Sequence, residues 1–343
     1  MLKSQNNLIY LFILIIIVFF ALYFFLNNNP KIRVVSNSTI IDTPIESKGI
    51  KILFVGDIML DRGVSFYAEQ KGKEVLFKNM KELFNKQDAI IANLEGTLTN
   101  NISVAKKNNK VLRFTFDPSF APLLKSLGFS ALSLANNHTS DFGIDGYNQT
   151  VYNLNLNNIK YFGSASNDIN LSTKLIIKDK TFCLVGYHDL YTYKEAPVIK
   201  EIEKIKNECN HITVLAHWGV EYSVIPNERQ ISLAHKFIDI GADLIIGAHP
   251  HVVQTNEIYK NKAIFYSLGN FMFDQSFSYN TEHGLMVELE IDKDKTVFNL
   301  IPTYVKEAEV SIDETKTIET FIIENNPINE LLLKPEYQNI QNP

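Results

Sequence analysis

The sequence has few of the residues that build cross-linked or metal-clustered scaffolds: only two cysteines occur among its 343 residues. Two cysteines cannot supply a disulfide framework or a four-thiolate zinc site. An excess of positive charge is also missing, and the net charge of −5 argues against a nucleic-acid scaffold. Because 45% of the residues are hydrophobic, the chain is neither a disordered tail nor a fibrous repeat. What remains is a globular protein of one large domain or two small ones.

Charged residues are absent from Leu8 to Leu26, where all nineteen residues are aliphatic or aromatic. At about 1.5 Å per residue, this helix nearly spans a hydrocarbon core of about 30 Å. A buried core helix would show a polar face, and a cleaved signal peptide would show small residues at its cleavage site. Leu26 is instead followed by Asn27-Asn28-Asn29-Pro30. We therefore expect residues 1–27 to be an uncleaved, single-pass anchor in the plasma membrane.

The basic residues beside this segment decide its orientation poorly, since Lys3 on one side nearly balances Lys31 and Arg33 on the other. The tail of seven residues before the span is easily retained in the cytoplasm. We therefore expect the soluble domain to be extracytoplasmic.

The rest of the chain divides by composition into a polar linker (28–49), one domain (50–307) and an acidic, Asn-rich, peripheral tail (308–343). In the domain, short apolar runs alternate with helical patterns. The runs that predict strands are Lys51–Val55, Ala89–Ala92, Ala131–Leu134, Thr181–Val185, Ile212–Ala216, Leu244–Ile246, Ala263–Ser267, Leu285–Ile291 and Val297–Ile301. The helical patterns are Glu74–Phe84, Phe120–Leu127, Gly146–Leu156, Val198–Lys206 and Arg229–Ile240. This alternation predicts an α/β fold with largely parallel sheet.

Polar side chains follow six of these strands at their carboxyl ends, where ligands bind in open α/β sheets. They are Asp57 with Asp61 and Arg62, Asn93 with Glu95, Asn136-Asn137-His138 with Asp141, His217 with Glu221, His249 with His251, and Asn270 with Asp274. Any one of them alone is more simply a helix cap or a surface residue. Together, the imidazoles, carboxylates and amides predict a metal site, the alternative being a polar, metal-free cleft.

The histidine pair His249-Pro250-His251 is the most informative of these groups. In an extended segment, residues i and i+2 project to the same side, and Pro250 would stiffen that geometry. The other four histidines do not follow a strand into a Gly- or Asn-rich turn, so we expect ordinary hydrogen-bonded residues at these positions: His188, His211, His235 and His283.

The order of these groups resembles the calcineurin-like metallophosphoesterases and, more closely, the CapA family of bacterial poly-γ-glutamate capsule synthesis, a divergent branch of that fold. The matching segments are VGDIMLDR (55–62), NLEGTLT (93–99), LANNHTSDFG (134–143), LAHWGVEY (215–222), IIGAHPHVVQ (245–254) and YSLGNFMFD (266–274). The resemblance implies an α/β/β/α sandwich. It also implies one or two divalent ions, Mn²⁺, Zn²⁺ or Fe.

The resemblance assigns roles to individual residues. Glu95 would bridge two metals, Asp57 and His251 would complete the first site, and Asn137, His217 and His249 the second. His138 would stabilise the transition state or protonate the leaving group.

Three departures from the family pattern bear on these roles. Met59 stands where the wider superfamily has a histidine ligand, so Asp61 or a water would have to fill the first site. Glu95 replaces an aspartate. Thr139 stands where an acid would pair with His138, and Asp141 is the acid that can replace it.

Further polar residues near the same strand ends are candidates for binding an anionic or amide group of the substrate: Asp61, Arg62, Asn93, Glu221 and Asn270. Arg62 could clamp a carboxylate or phosphate with two hydrogen bonds, the alternative being a surface salt bridge. Trp218 either walls the site or fills the core. We expect Cys183 and Cys209 to be free structural thiols, although a bridge between them stays open.

Three functions are compatible with the sequence. The first is a membrane-anchored, metal-dependent hydrolase that cleaves a phosphoester or amide-like bond in polymer handling. The second is a non-catalytic accessory protein that helps to synthesise, export or tether poly-γ-glutamate or another anionic envelope polymer. The third is a solute-binding or adhesive protein on an unrelated scaffold. The resemblance implies membrane-bound synthase partners, a ligase and an integral membrane component, and no nucleic acid.

Overall fold

The computed structural model describes residues 33–37, 49–106, 110–190, 194–292, 295–324 and 331–333. The predicted membrane segment, Leu8 to Leu26, lies outside these ranges. Within them, no helix has both the length and the apolar character that a membrane crossing needs.

Two large sheets and one short strand pair contain the strands, which are numbered along the chain. The first sheet consists of β1 (Arg33–Asn37), β2 (Ile50–Ile58), β3 (Ala89–Leu94), β6 (Phe129–Ser133), β7 (Lys160–Phe162), β14 (Asn270–Met272), β15 (His283–Ile291), β16 (Lys295–Lys306), β17 (Glu309–Ile312) and β18 (Ile318–Glu324). The second consists of β8 (Ser172–Ile177), β9 (Lys180–His188), β10 (His211–His217), β11 (Leu244–Ala248), β12 (Asn256–Tyr259), β13 (Lys262–Phe265) and β19 (Leu331–Leu333). The short pair is β4 (Thr97–Leu98) with β5 (Thr115–Phe116).

Each large sheet contains a run of parallel strands, which lies at one end of the first sheet and in the centre of the second. The parallel runs are β2-β3-β6-β7 in the first sheet and β9-β10-β11-β13 in the second. Antiparallel partners lie beside them, such as β15 on β2 and β8 on β9. The expected parallel pairing is therefore confirmed for the strands that alternate with helices.

Most of the helices connect parallel strands. They are α1 (Arg62–Lys71), α2 (Lys81–Phe84), α3 (Phe120–Ser126), α4 (Gly143–Leu156), α5 (Ala196–Ile205), α6 (Glu228–Ile240) and α7 (Tyr279–Glu282), with a 3₁₀ helix at Lys73–Met80. The predicted helix Glu74–Phe84 is thus a 3₁₀ helix that continues into the single turn of α2. The other four predicted helices are confirmed to within a few residues.

Alternate residues of β2 enter two different hydrophobic clusters. Ile52 and Phe54 pack between the two sheets, whereas Leu53 and Val55 pack against the helices on the outer face. The second sheet repeats this arrangement, because its outer face packs against α5 and α6. The α/β class predicted from the sequence is confirmed, and the two sheets lie between outer layers of helix.

Two segments that the sequence assigns to the margins contribute strands to the first sheet. β1 lies within the predicted linker and pairs with β18. β17 and β18 lie within the predicted tail, where Phe321 is buried. Residues 308–324 are therefore part of the folded domain rather than peripheral, because Val310 packs in the cluster under the outer helices and Phe321 in the cluster between the sheets.

The expectation of two free thiols is wrong, because Cys183 and Cys209 form a disulfide. Cys183 lies in β9, and Cys209 follows α5, which packs on the same sheet face. The bond therefore ties the end of this helical connection to its neighbouring strand.

Removing the disulfide should destabilise the domain. The double substitution Cys183→Ser with Cys209→Ser is expected to lower the free energy of unfolding by about 3 kcal/mol, because the unfolded chain regains the freedom that the closed loop removes. Urea unfolding of the oxidised and reduced proteins measures this difference. Reductant should shift the wild-type transition and leave that of the variant unchanged; an equal shift in both would contradict the prediction.

Candidate metal centre

The carboxyl ends of the parallel strands of both sheets meet at one edge of the sandwich, and most of the predicted site residues lie there. In the first sheet, Asp57 at the end of β2 is in register with Asn93 of β3. In the second sheet, His217 at the end of β10 is in register with Ala248, which His249 follows. Gly56 permits the close approach of the segment beside β2, since a Cβ there would lie 2.0 Å from the carbonyl oxygen of Gly269.

Three predicted metal ligands, Asp57, Glu95 and His251, form a compact group in which one ligand atom from each lies within 4.8 Å of the others. Both carboxylates are completely buried. His251 bridges them, with its Nδ1 3.4 Å from an Asp57 oxygen and its Nε2 3.7 Å from Oε1 of Glu95. Neither carboxylate oxygen of Glu95 has a hydrogen-bond partner in the described part of the chain.

The ionisation of this group is strongly perturbed. Burial raises the pKa of Glu95 well above its usual value, and the neighbouring Asp57 carboxylate raises it further. Burial alone would lower the pKa of His251, but the carboxylates of Glu95 and Asp57 raise it to about 9. At neutral pH the metal-free group therefore holds a proton that a cation would displace.

The backbone around the two histidines differs from the extended segment that the sequence predicts. β11 ends at Ala248, and both His249 and His251 have positive φ, +93° and +58°. Such values are uncommon for residues other than glycine and cluster at functional sites. The rings still lie near each other, with their centres 5.8 Å apart. Tertiary contacts, among them a hydrogen bond from the His249 amide to Asp57, hold this conformation.

The three residues expected at a second metal lie beside the first group. The His217 ring hydrogen-bonds through Nε2 to Oδ1 of Asn137 at 2.7 Å, and its centre lies 4.9 Å from that of His249. Burial lowers the pKa of His217 well below its usual value and that of His249 to about 3, so both rings are neutral. Nδ1 of His249 has no hydrogen-bond partner among the described residues.

A group that the sequence does not predict shares two of these histidines. Glu221, on the loop after β10, lies with His249 and His251 so that one ligand atom from each is within 4.8 Å of the others. Glu221 is exposed, in contrast to the buried histidines. Its carboxylate is therefore an accessible ligand at the outer side of the site.

The structure confirms the pairing of His138 with Asp141. Nδ1 of His138 lies 2.9 Å from Oδ2 of Asp141, which also accepts a hydrogen bond from the Phe114 amide. Nε2 of His138 faces Oε1 of Glu95 at 3.8 Å. The contact with Asp141 orients the His138 imidazole, so that its second nitrogen, Nε2, faces the Glu95 carboxylate.

Three residues predicted to bind substrate hydrogen-bond to other residues of the chain. Asp61 caps α1, and its carboxylate accepts hydrogen bonds from the Arg62 amide, the Ser103 hydroxyl and the Thr115 amide. Asn93 donates to Asp57 at 2.8 Å and contacts Nδ1 of His217 at 3.2 Å. Asn270 contacts Nδ1 of His251 at 3.0 Å. Asp61 is buried, and its carboxylate is occupied by these hydrogen bonds. The amides of Asn93 and Asn270 orient the candidate metal ligands.

The other two substrate-binding candidates, Arg62 and Glu221, do line an open cleft of about 270 Å³ beside the site. The same cleft is lined by Glu95, His138 and His251. Arg62 lies inside the cleft and forms an ion pair with Asp274, which also lines it. The salt bridge considered for Arg62 is therefore formed within the cleft. Trp218 is fully buried and donates to the Tyr266 carbonyl, so this residue fills the core.

Met59 does not act as the missing ligand. Its thioether is buried in the hydrophobic cluster under the helices and accepts a hydrogen bond from the Asp61 amide. Met59 therefore belongs to the core of this domain.

One of the four histidines expected to be ordinary hydrogen-bonded residues lies near the site. His188 ends β9 in register with His217, and their ring centres lie 5.9 Å apart. Its Nδ1 lies 2.7 Å from the carbonyl oxygen of Ala165, so the hydrogen bond expected for this histidine is present.

Comparisons with known proteins show the family of this chain. The family model described as bacterial capsule synthesis protein PGA_cap matches residues 51–275. The chain belongs to this family. It is 32% identical over 273 residues to the PGA biosynthesis protein CapA of Bacillus subtilis (strain 168), covering 74% of this chain and 71% of that protein. It is 29% identical over 283 residues to the capsule biosynthesis protein CapA of Bacillus anthracis, covering 76% and 69%.

A more distant relative is named as an accessory protein. The chain is 23% identical over 285 residues to a probable polyglutamine synthesis accessory protein of Mycobacterium tuberculosis (strain CDC 1551 / Oshkosh), covering 66% of this chain and 74% of that protein. The names of these three relatives thus refer to PGA biosynthesis, to capsule biosynthesis and to an accessory role in polyglutamine synthesis.

The described residues fit a divalent cation. Asp57, Glu95 and His251 offer two buried carboxylates and an imidazole, a donor set that suits Mn²⁺, Zn²⁺ or Fe²⁺. The unpartnered oxygens of Glu95 and the unpartnered Nδ1 of His249 are the buried polar atoms that a cation would satisfy.

Metal affinity should rise with pH. Because His251, with a pKa of about 9, must lose its proton to bind, Mn²⁺ affinity is expected to increase by up to about tenfold per pH unit for each proton displaced. Isothermal titration in buffers of different ionisation enthalpy measures both affinity and proton release. His251→Ala should weaken binding on the order of 100-fold, whereas His235→Ala, on the outer helix α6, should not. Equal binding by the two variants would refute this assignment.

Proposed function

We propose that this CapA-like protein is a membrane-anchored, metal-dependent hydrolase of the metallophosphoesterase type that acts on poly-γ-glutamate or another anionic envelope polymer. The observation that supports it best is the buried Glu95 carboxylate, which has no hydrogen-bond partner among the described residues and lies beside Asp57, His251 and His138. A charge so buried is costly unless a cation balances it.

The residues of the site would have two roles in hydrolysis, binding of the metal ions and transfer of a proton. Asp57, Glu95 and His251 would hold the first ion, and Glu95, Asn137, His217 and His249 a second one. A bound divalent ion supplies a more acidic water and stabilises negative charge on the reacting group. His138, oriented by Asp141, presents Nε2 to the same cleft and holds the proton that the leaving group needs.

The location that we propose is extracytoplasmic, with Leu8 to Leu26 as the anchor. The disulfide between Cys183 and Cys209 supports it, because disulfides persist in oxidising compartments and are rare in the cytosol. The membrane-bound components of a polymer synthase are the partners that this location favours.

A non-catalytic accessory role is the second candidate, and one observation favours it. Met59 is packed in the core where the wider superfamily has a metal-binding histidine. One ligand is therefore missing from the first site, and the cleft would then bind the polymer rather than cleave it.

Replacing His138 separates these two functions. In a hydrolase, His138→Ala should reduce the turnover of poly-γ-glutamate by about 100-fold or more in the presence of Mn²⁺, because proton transfer to the leaving group is lost. Metal affinity should stay within a few fold of wild type, since His138 is not among the proposed ligands. Turnover is measured as the shortening of the polymer on gels and as the release of new amino groups.

The same variant gives the contrary result for an accessory role. A folded, correctly located His138→Ala protein would then support polymer production as wild type does. Metal-loaded wild-type protein that leaves poly-γ-glutamate and simple phosphoesters intact would exclude the hydrolase. His235→Ala is the matched control, since it removes one imidazole outside the site.

A further inference from the structure

We propose that Arg62 is the specificity-determining residue of the site and binds a free carboxylate of a peptide-like substrate, so that the bond acted on lies next to that carboxylate. This inference rests on the proposed hydrolase and names the substrate class of the same site. A γ-linked glutamyl chain has this chemistry, since each amide nitrogen is attached to a carbon that carries a carboxylate.

The backbone places Arg62 at some energetic cost. Its φ is +50°, a left-handed conformation that an arginine rarely adopts. The residue directly follows Asp61, which caps α1 and accepts a hydrogen bond from the Arg62 amide at 2.7 Å. Backbone strain of this kind persists only where surrounding contacts enforce it. The effect here is that the arginine side chain extends into the cleft.

The side chain is held in one position before any ligand binds. Its guanidinium carbon lies 5.0 Å from the ring centre of Phe114 and 5.6 Å from that of Phe273. Asp274 pairs with Nη2 of Arg62 and also accepts a hydrogen bond from the Gly63 amide at 2.9 Å. A guanidinium fixed between two rings and a carboxylate loses little further freedom on binding an anion.

Asp274 does not use all the hydrogen-bonding capacity of Arg62. Nε of Arg62 is buried and has no partner in the part of the chain that the structure describes. The same cleft is lined by Glu95 and His138, so an anion held by Arg62 lies beside the proposed reacting groups. A planar carboxylate matches the planar guanidinium fork.

The other walls of the cleft favour a singly charged, partly apolar ligand. Glu221 and Asp274 line it together with Glu95, and these carboxylates oppose a doubly charged phosphate more than a single carboxylate. Tyr222 and Phe277, with ring centres 5.2 Å apart, supply an apolar wall that suits the methylene carbons of a glutamyl unit.

The test compares ligands with and without the carboxylate. Full-length protein, solubilised in detergent, is titrated with a γ-glutamyl trimer and with the same trimer in which every carboxylate is an amide. Wild type should bind the charged trimer more tightly by about tenfold to a hundredfold, and Arg62→Gln should abolish that preference. Arg62→Lys should restore part of it. Lys260→Gln, which removes an exposed positive charge outside the cleft, should bind as wild type does.

Each other result contradicts part of the proposal. Equal binding of the charged trimer by wild type and Arg62→Gln, at matched thermal stability, would overturn the role of Arg62. Tighter, Arg62-dependent binding of inorganic phosphate would replace the carboxylate by a phosphate. Full binding by Arg62→Lys would show that charge rather than the fork is recognised. Hydrolysis assays with Mn²⁺, run beside these titrations, keep the two proposals apart, because an Arg62-dependent preference in a protein that hydrolyses nothing would remove the hydrolase and leave only the carboxylate-binding role of Arg62.

Discussion

The buried carboxylate of Glu95 is the constraint on which the site depends. Neither of its oxygens has a hydrogen-bond partner in the described residues, and burial raises its pKa. Asp57 adds a second buried carboxylate, so the edge of the sandwich concentrates negative charge in a region of low dielectric. Such a group is stable only with a proton or a cation in it. His251 supplies the proton in the metal-free protein, and its raised pKa is the electrostatic response to the two carboxylates.

Neutral amides hold this charged group in place. Asn93 contacts both Asp57 and His217, and its own oxygen accepts a hydrogen bond from Asn136. Asn270 orients His251 from the opposite side. An amide can donate and accept hydrogen bonds without adding charge, so these residues fix the carboxylate and the imidazoles and leave the electrostatic balance unchanged. Contacts of this kind outside the ligands commonly decide how well a metal is bound.

The site extends from the charged group to a wall of aromatic rings and one arginine. Phe114 packs on the His138 ring, with 4.3 Å between centres, and also lies under Arg62. One phenylalanine thus connects the proposed proton donor with the proposed anion-binding residue. The proposed proton donor and the proposed anion-binding residue therefore share one packing partner.

Local patterns of the sequence predicted much of the fold and of the site. Apolar runs alternating with helical periods predicted the α/β class, because buried parallel strands are apolar on both faces. Polar residues at strand ends predicted which side chains would meet, and the pairing of His138 with Asp141 followed from their spacing. What failed depended on contacts between distant segments. Which segments lie side by side decides the disulfide, the strands β17 and β18, and the contacts of Asn93 and Asn270. Local periodicity does not encode contacts between segments that are distant in the sequence.

Local sequence patterns were therefore enough to predict the class of fold, the family and the chemical nature of the donor groups, because each depends on residue type and spacing along the chain. Which donors lie together was settled by the folded structure alone. It separated Asp61 and Met59 from the ligands by giving their polar atoms other partners. It also placed Arg62 in the cleft. The backbone at the cap of α1, the two aromatic rings beside the guanidinium, and Asp274 come together only when the sheets pack on each other.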